Sequence, residues 1–174
     1  LGKISHSTLL GGSNVPAIKY TSELLKVVPD NLSYVFYSDS GSEAVESALK
    51  IAYQYCSQHK DKKINKKNKF VSFVNAYHGD TVGAVSVGGI DLFHKTYKKL
   101  LFDTIKLNAP YCYRCPYNLN QADCELYCLN EIEKIIKKKH REIIGVIIEP
   151  KIQAAAGMLI QPFGFMKKLE EICR

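Results

Sequence analysis

Three features of the 174-residue sequence predict an α/β fold with a mainly parallel sheet. Short apolar runs bounded by turn residues alternate with longer segments whose apolar positions recur at helical spacing, the pattern of strands joined by crossover helices. One run, Ile143–Ile148 (IIGVII), is apolar throughout, as expected of a strand covered on both faces. Clusters of Gly, Ser and charged residues follow the strand candidates, at the carboxyl ends where such sheets bind ligands. Composition agrees: 46% apolar and 24% charged residues, with 11 Gly and 6 Pro, exclude disordered, collagen-like and low-complexity classes.

Each element has a local reason. Leu24, Leu25 and Val28 give Thr21–Val28 a helical pattern, stopped by Pro29-Asp30-Asn31. Leu32–Tyr37 is a short apolar and aromatic run, predicted as a buried strand. Ser40–Gln58 reads as a long helix with Val45, Ala48, Leu49, Ala52 and Cys56 on one face. Phe70–Val74 is the next strand, Asn75–Asp80 a loop, and Thr81–Val87 a small-residue helix ended by Gly88-Gly89. Thr104–Leu107 is a short strand, and Glu125–Lys139 a helix with Leu129, Ile132 and Ile136 as its apolar stripe. Ile143–Ile148 follows, and a last helix runs from Gly164 to Cys173. No internal repeat appears, and no linker marks a second domain. The apolar runs are too short to span a bilayer, and no secretory leader is recognised. The first residue is Leu1, so the sequence reads as cut at its front.

The formal net charge of +7 invites a nucleic-acid reading. All the cations except Arg114, Arg141 and Arg174 are Lys, however, whereas base and phosphate recognition favours the Arg fork. The Lys runs Lys60–Lys69 and Lys134–Lys139 read as a solvated loop and a charged helix end. Nucleic acid and membrane are therefore not expected partners. Of 6 Cys, Cys56 and Cys173 fall in helical patterns as core thiols. Cys112-x-x-Cys115 and Cys124-x-x-x-Cys128 are clustered, the second pair on one face of the predicted helix. Such spacings can hold a tetrahedral zinc; the alternative is a Cys-rich insertion with reduced thiols or one disulfide.

Three motifs sit at strand ends. Ser38-Asp39-Ser40-Gly41-Ser42-Glu43 joins a strand to a helix and contains the Ser-x-x-Glu spacing of a capping box. Gly41 admits close approach, and Ser42 adds a hydroxyl beside free first-turn N–H groups, a ready phosphate site. The alternative is an ordinary capped helix. Ala76-Tyr77-His78-Gly79-Asp80-Thr81 offers a flat ring before a Gly turn, where packing is the alternative for His78. Ile148-Glu149-Pro150 ends an apolar strand on a carboxylate, which must be paired or functional. A phosphate cradle, an aromatic plate and a carboxylate together suit a phosphorylated aromatic cofactor.

In this order the segments SDSGSEAVESALKIA, NAYHGDTVGAVSVGG and VIIEPKIQAAAGM resemble the class III (subgroup II) pyridoxal-phosphate-dependent aminotransferases. The Tyr-His-Gly-Asp-Thr form and the opening KISHSTLLGGSNVPAIKYTSELL are similar to the family's biotin-synthesis branch. The resemblance implies a fold type I pyridoxal-phosphate transferase, with residues 1–174 part of the large cofactor-binding domain. It implies pyridoxal 5'-phosphate as cofactor, with Gly41 and Ser42 on the phosphate and Tyr77 stacked on the ring and bordering the substrate pocket. Glu149 would lie near the ring, and His78 would support Tyr77. The implied reaction moves an amino group from a small-molecule donor, adenosylmethionine or lysine, onto the keto acid 8-amino-7-oxononanoate. The product is 7,8-diaminononanoate, made by a cytoplasmic homodimer. Another ω-amine or amino-acid aminotransferase of the class, or a non-catalytic metal-binding module, are the alternative readings. The family's Schiff-base lysine and its pyridinium-pairing aspartate belong to later segments, and no Lys here has that context. The expectation is an interior slice of the enzyme, inactive by itself.

Overall fold

The computed structural model describes residues 8–174, so residues 3–7 of the opening segment lie outside it. Packing divides the chain into two units, Leu1–Tyr37 and Ser38–Arg174.

In the first unit, α1 (Val15–Leu24) starts earlier than its apolar spacing suggested. Asn14 caps it by accepting the Ala17 N–H at 2.9 Å, and Pro16 fits the first turn, where its missing N–H costs nothing. Hydrogen-bonded turns continue to Val28, so the predicted Thr21–Val28 helix is the tail of α1 plus a turn. The predicted strand Leu32–Tyr37 does not form: the segment has no regular secondary structure and joins no ladder among the described residues. Tyr34 is 97% exposed and Phe36 71%, because strand propensity needs a neighbour to pair with and to pack against.

The second unit is a three-layer α/β/α arrangement. Its sheet has the order β2-β1-β3, built from β1 (Lys69–Phe73), β2 (Ile105–Leu107) and β3 (Ile143–Val146), all parallel. β1 is central, and its Val71 and Phe73 are fully buried. α2 (Gly41–Ser57) and α4 (Val82–Val87) cover one face. There Leu49, Phe70 and Val87 form the core, with Val45, Ala52, Ile144 and Ile147 packed on them. Cys56 is buried as expected, but Ala48 is exposed, on the flank of the apolar stripe. α6 (Cys128–Lys139) and α7 (Phe165–Cys173) cover the other face through Leu129, Ile132, Ile136, Phe165 and Leu169. Phe73 meets Phe165 edge-on, their centroids 6.3 Å apart; each fully buried ring contributes about 2–3 kcal/mol. A register shift opposite Lys69/Phe70 lets β3 send Ile144 and Ile147 to the α2 side and Ile143, Val146 and Ile148 to the α6 side. β3 does contact both layers, yet beyond Ile143 its residues are only half-buried because it is an edge.

Other differences have local causes. α6 begins at Cys128 rather than Glu125, because Glu125 and Leu126 have φ of 44° and 62° and cannot be helical. Cys124 and Cys128 therefore do not share a helix face. Cys173, predicted in the core, is exposed in the last turn of α7. The Lys60–Lys69 run contains α3 (Lys62–Asn65), capped by Asp61. α5 (Asp91–His94), the 3-10 turn Lys95–Leu100 and the hairpin β4 (Ile152–Gln153) with β5 (Leu159–Ile160) were not foreseen. The Lys-rich end of α6 carries exposed pairs, Lys134 to Glu131 and Lys137 to Glu133, which water screens and which contribute little.

Candidate active site

The three motif segments meet in a hydrogen-bonded series. Ser40 caps α2 by accepting the Glu43 N–H at 3.2 Å, and the Glu43 carboxylate reaches back to the Asp39 N–H at 2.8 Å. This leaves the N–H groups of Gly41 and Ser42 as first-turn donors that the helix cannot satisfy itself. A Cβ built at Gly41 meets nothing within 4 Å, so the space above this turn is open. Ser42 Oγ accepts the Asp80 N–H at 3.2 Å, joining α2 to the loop after β1. Gly79 makes that approach possible. Its φ is 124°, and a Cβ there would stand 2.1 Å from Ser42 Oγ and 2.9 Å from Ser42 Cα.

Tyr77 continues the series. Its hydroxyl donates to Asp80 Oδ2 at 2.7 Å, and that carboxylate, by hydrogen bond and charge, raises the phenol above its ordinary pKa. The ring is half-exposed and meets Phe93 edge-on, with centroids 6.4 Å apart. The Tyr77 N–H donates to Glu149 Oε1 at 2.9 Å, and Glu149 Oε2 accepts the Ala154 N–H at 3.1 Å. Two backbone donors from different loops thus solve the desolvation problem of Glu149, with no cation required. Gly41, Ser42, Tyr77 and Glu149 all lie in the second unit; Asp80 joins Ser42 to Tyr77, and the Tyr77 N–H joins Tyr77 to Glu149.

His78, the next residue, is half-buried. Burial first, and the Lys106 charge second, lower its pKa from 6.5 to about 4, so its imidazole is neutral at pH 7. Lys106 is exposed along its length, yet its ammonium donates to Ser72 Oγ at 2.8 Å, to Ser86 O at 3.1 Å and to Gly88 O. Loss of water around the ammonium lowers its pKa to about 8. These carbonyls end α4, so the cation sits where the helix dipole favours it. At the other end of α4, Glu46 Oε1 accepts the Gly83 N–H at 2.6 Å.

Sequence patterns did not single out Glu46 or Lys106, and they placed Asp80 and Gln153 in motifs without a role; the contacts of Glu46, Lys106 and Gln153 are all distant in the chain. Gln153 is 2% exposed; its Nε2 donates to Val74 O at 3.0 Å while its Oε1 has no partner. Gln161 Nε2 donates to Glu149 O at 2.7 Å. The only signal for either glutamine was proximity to the Glu-Pro strand end.

The residues fit a phosphorylated aromatic group. Open first-turn donors with a hydroxyl suit a phosphate at the positive end of a long helix. A partly exposed ring fixed at its hydroxyl and its backbone suits a planar partner.

Known proteins give the family. The sequence model described as Aminotransferase class-III matches residues 1–174. The chain belongs to the class-III aminotransferases. It is 50% identical over 175 residues to the adenosylmethionine-8-amino-7-oxononanoate aminotransferase of Aquifex aeolicus, covering 100% of this chain and 38% of that protein. The crystal structure of the adenosylmethionine-8-amino-7-oxononanoate aminotransferase from Methanocaldococcus jannaschii superposes with a TM-score of 0.86 at 44% identity, over 99% of this chain and 36% of that one. An amine transaminase from an uncultivated Pseudomonas species, solved in a PLP-bound form, gives a TM-score of 0.83 at 28% identity, over 97% of this chain and 38% of that one. The class-III chain thus has the α/β fold of these transaminases and spans 32–38% of the length of the adenosylmethionine-8-amino-7-oxononanoate aminotransferases it matches at 46–50% identity. No helix among the described residues is long and apolar enough to cross a membrane.

Proposed function

We propose that this chain is part of a pyridoxal-5'-phosphate-dependent aminotransferase that converts 8-amino-7-oxononanoate to 7,8-diaminononanoate in biotin synthesis. Identity of 46–50% to six relatives bearing that enzyme's name carries the reading. Omega transaminases of equal TM-score, 0.86, share 26% identity, which supports the biotin-pathway reading over a general ω-amine one. Family resemblance also supports a cytoplasmic homodimer using a small-molecule amino donor and keto-acid acceptor.

The cofactor, when bound, supplies an electron-accepting ring and a carbonyl carbon that takes up and gives back the amino group. Gly41 and Ser42 hold its phosphate through N–H and hydroxyl donors. Tyr77 lies against the ring and borders the substrate pocket, its phenol proton retained by Asp80 Oδ2. Glu149 keeps the Tyr77 backbone in place, and neutral His78 supports the loop without adding charge. The lysine that joins the cofactor covalently in this family is assigned to none of the residues of this chain.

The test is an assay of the full-length protein with 8-amino-7-oxononanoate and either adenosylmethionine or lysine as donor, detecting the diamine by mass. Diamine formed with one of these donors is expected. No diamine with either, together with amination of a simple ketone by an ω-amine, would overturn the substrate assignment.

A further inference from the structure

We propose that Cys112, Cys115, Cys124 and Cys128 form a tetrathiolate site for one zinc ion, separate from the strand-end site. All four are free, half-buried thiols. They come from two pairs distant in the sequence, Cys112-x-x-Cys115 and Cys124-x-x-x-Cys128. The fold brings both pairs onto one cavity of about 20 Å³, walled otherwise by Tyr, Pro and Leu side chains. That volume admits a single water-sized occupant and nothing larger.

The backbone supplies a reason for such a centre. Residues 108–127, between β2 and α6, contain neither helix nor strand. Asn118, Glu125 and Leu126 within them hold left-handed φ of 55°, 44° and 62°. A loop this long without regular structure needs another source of order. Ring contacts such as Tyr117–Tyr127, with centroids 5.3 Å apart, supply part of it, and a metal held by four thiolates would supply the rest.

Among the described residues no group of three or more His, Cys, Asp or Glu side chains is placed to hold a metal ion as the side chains stand. Binding therefore closes the cluster by side-chain rotation, to sulfurs about 2.3 Å from the ion and about 3.8 Å from one another. The step balances as four thiols and one Zn²⁺ giving a dianionic tetrathiolate and four released protons; no oxidant takes part. Four sulfur donors and no carboxylate in the wall select a soft or borderline cation over Mg²⁺ or Ca²⁺.

The full-length protein, expressed with supplementary zinc and dialysed, tests this by elemental analysis. One zinc per chain is expected in the wild type and in Cys173→Ser, falling about tenfold or more in Cys112→Ser and Cys128→Ser. Should either variant fail to fold, cobalt exchanged into the wild type still reports the site, since thiolate ligation gives an intense near-ultraviolet charge-transfer band. Zinc near zero in the wild type with no cobalt band, zinc unchanged in both variants, or the four cysteines recovered as disulfides would each overturn the site.

Discussion

The strand-end site and the cysteine loop belong to the same unit, yet they owe their order to different interactions. At the strand ends, main-chain N–H groups of Tyr77, Asp80 and Ala154 are fixed by Glu149 and Ser42, the first two on the loop that follows the buried end of β1. In residues 108–127 no ladder or helix ties the backbone, and order comes from hydrogen-bonded turns and ring contacts around a cavity that four cysteines line. The first region is positioned by the fold before any ligand arrives. The second has its ligands gathered but its geometry unfinished. Substitutions should therefore act through backbone sterics and hydrogen bonds in one region and through metal content in the other.

The largest effect is expected at Gly79. Gly79→Ala places a methyl against Ser42 and forces a left-handed φ on a residue with a Cβ, costing about 3 kcal/mol or more. Gly41→Ala, with open space and a helical backbone, should change stability by less than about 1 kcal/mol. Denaturant unfolding of both variants measures the contrast, and equal losses would break the claim that only the loop glycine is sterically required.

Acid comes next. The folded pKa of His78 lies near 4 against 6.5 unfolded, so the unfolded chain binds the extra proton between those values. Stability should then fall as pH drops from 6.5 towards 4, and His78→Gln should flatten that part of the profile. Glu149→Gln puts an amide NH2 against a backbone N–H at Tyr77 or Ala154, costing about 1–3 kcal/mol. Faster hydrogen exchange at the amides of Tyr77 and Ala154 would locate the loss. Smallest for the strand ends is zinc chelation. It should increase protease cleavage within residues 108–127 and leave exchange at those two amides unchanged.

What could be read from the sequence follows the range of the interactions. The layers were legible because Val45, Leu49, Ala52 and Cys56 repeat at helical spacing and IIGVII needs cover on both faces. The pairing of Ser42, Tyr77 and Glu149 was legible as three strand-end motifs whose order matched one family. Leu32–Tyr37 misled, because a strand is defined by its partner and its own residues carry only propensity. The start of α1 was written in Asn14-Val15-Pro16, a cap signal outside the apolar stripe. Lys106 gave no local signal, and Asp80 and Gln153 were visible only as members of motifs, since each acts on groups far along the chain or through a turn that only Gly79 permits.

The central claim, that the α2 turn and the Tyr77 loop hold the cofactor, is tested most directly by equilibrium binding of pyridoxal 5'-phosphate to the full-length protein. Ser42→Ala removes one hydroxyl donor to a charged group and should weaken binding by about 10- to 100-fold, with near-wild-type thermal stability. Affinity unchanged in both Ser42→Ala and Tyr77→Ala, with both variants folded, would contradict the account.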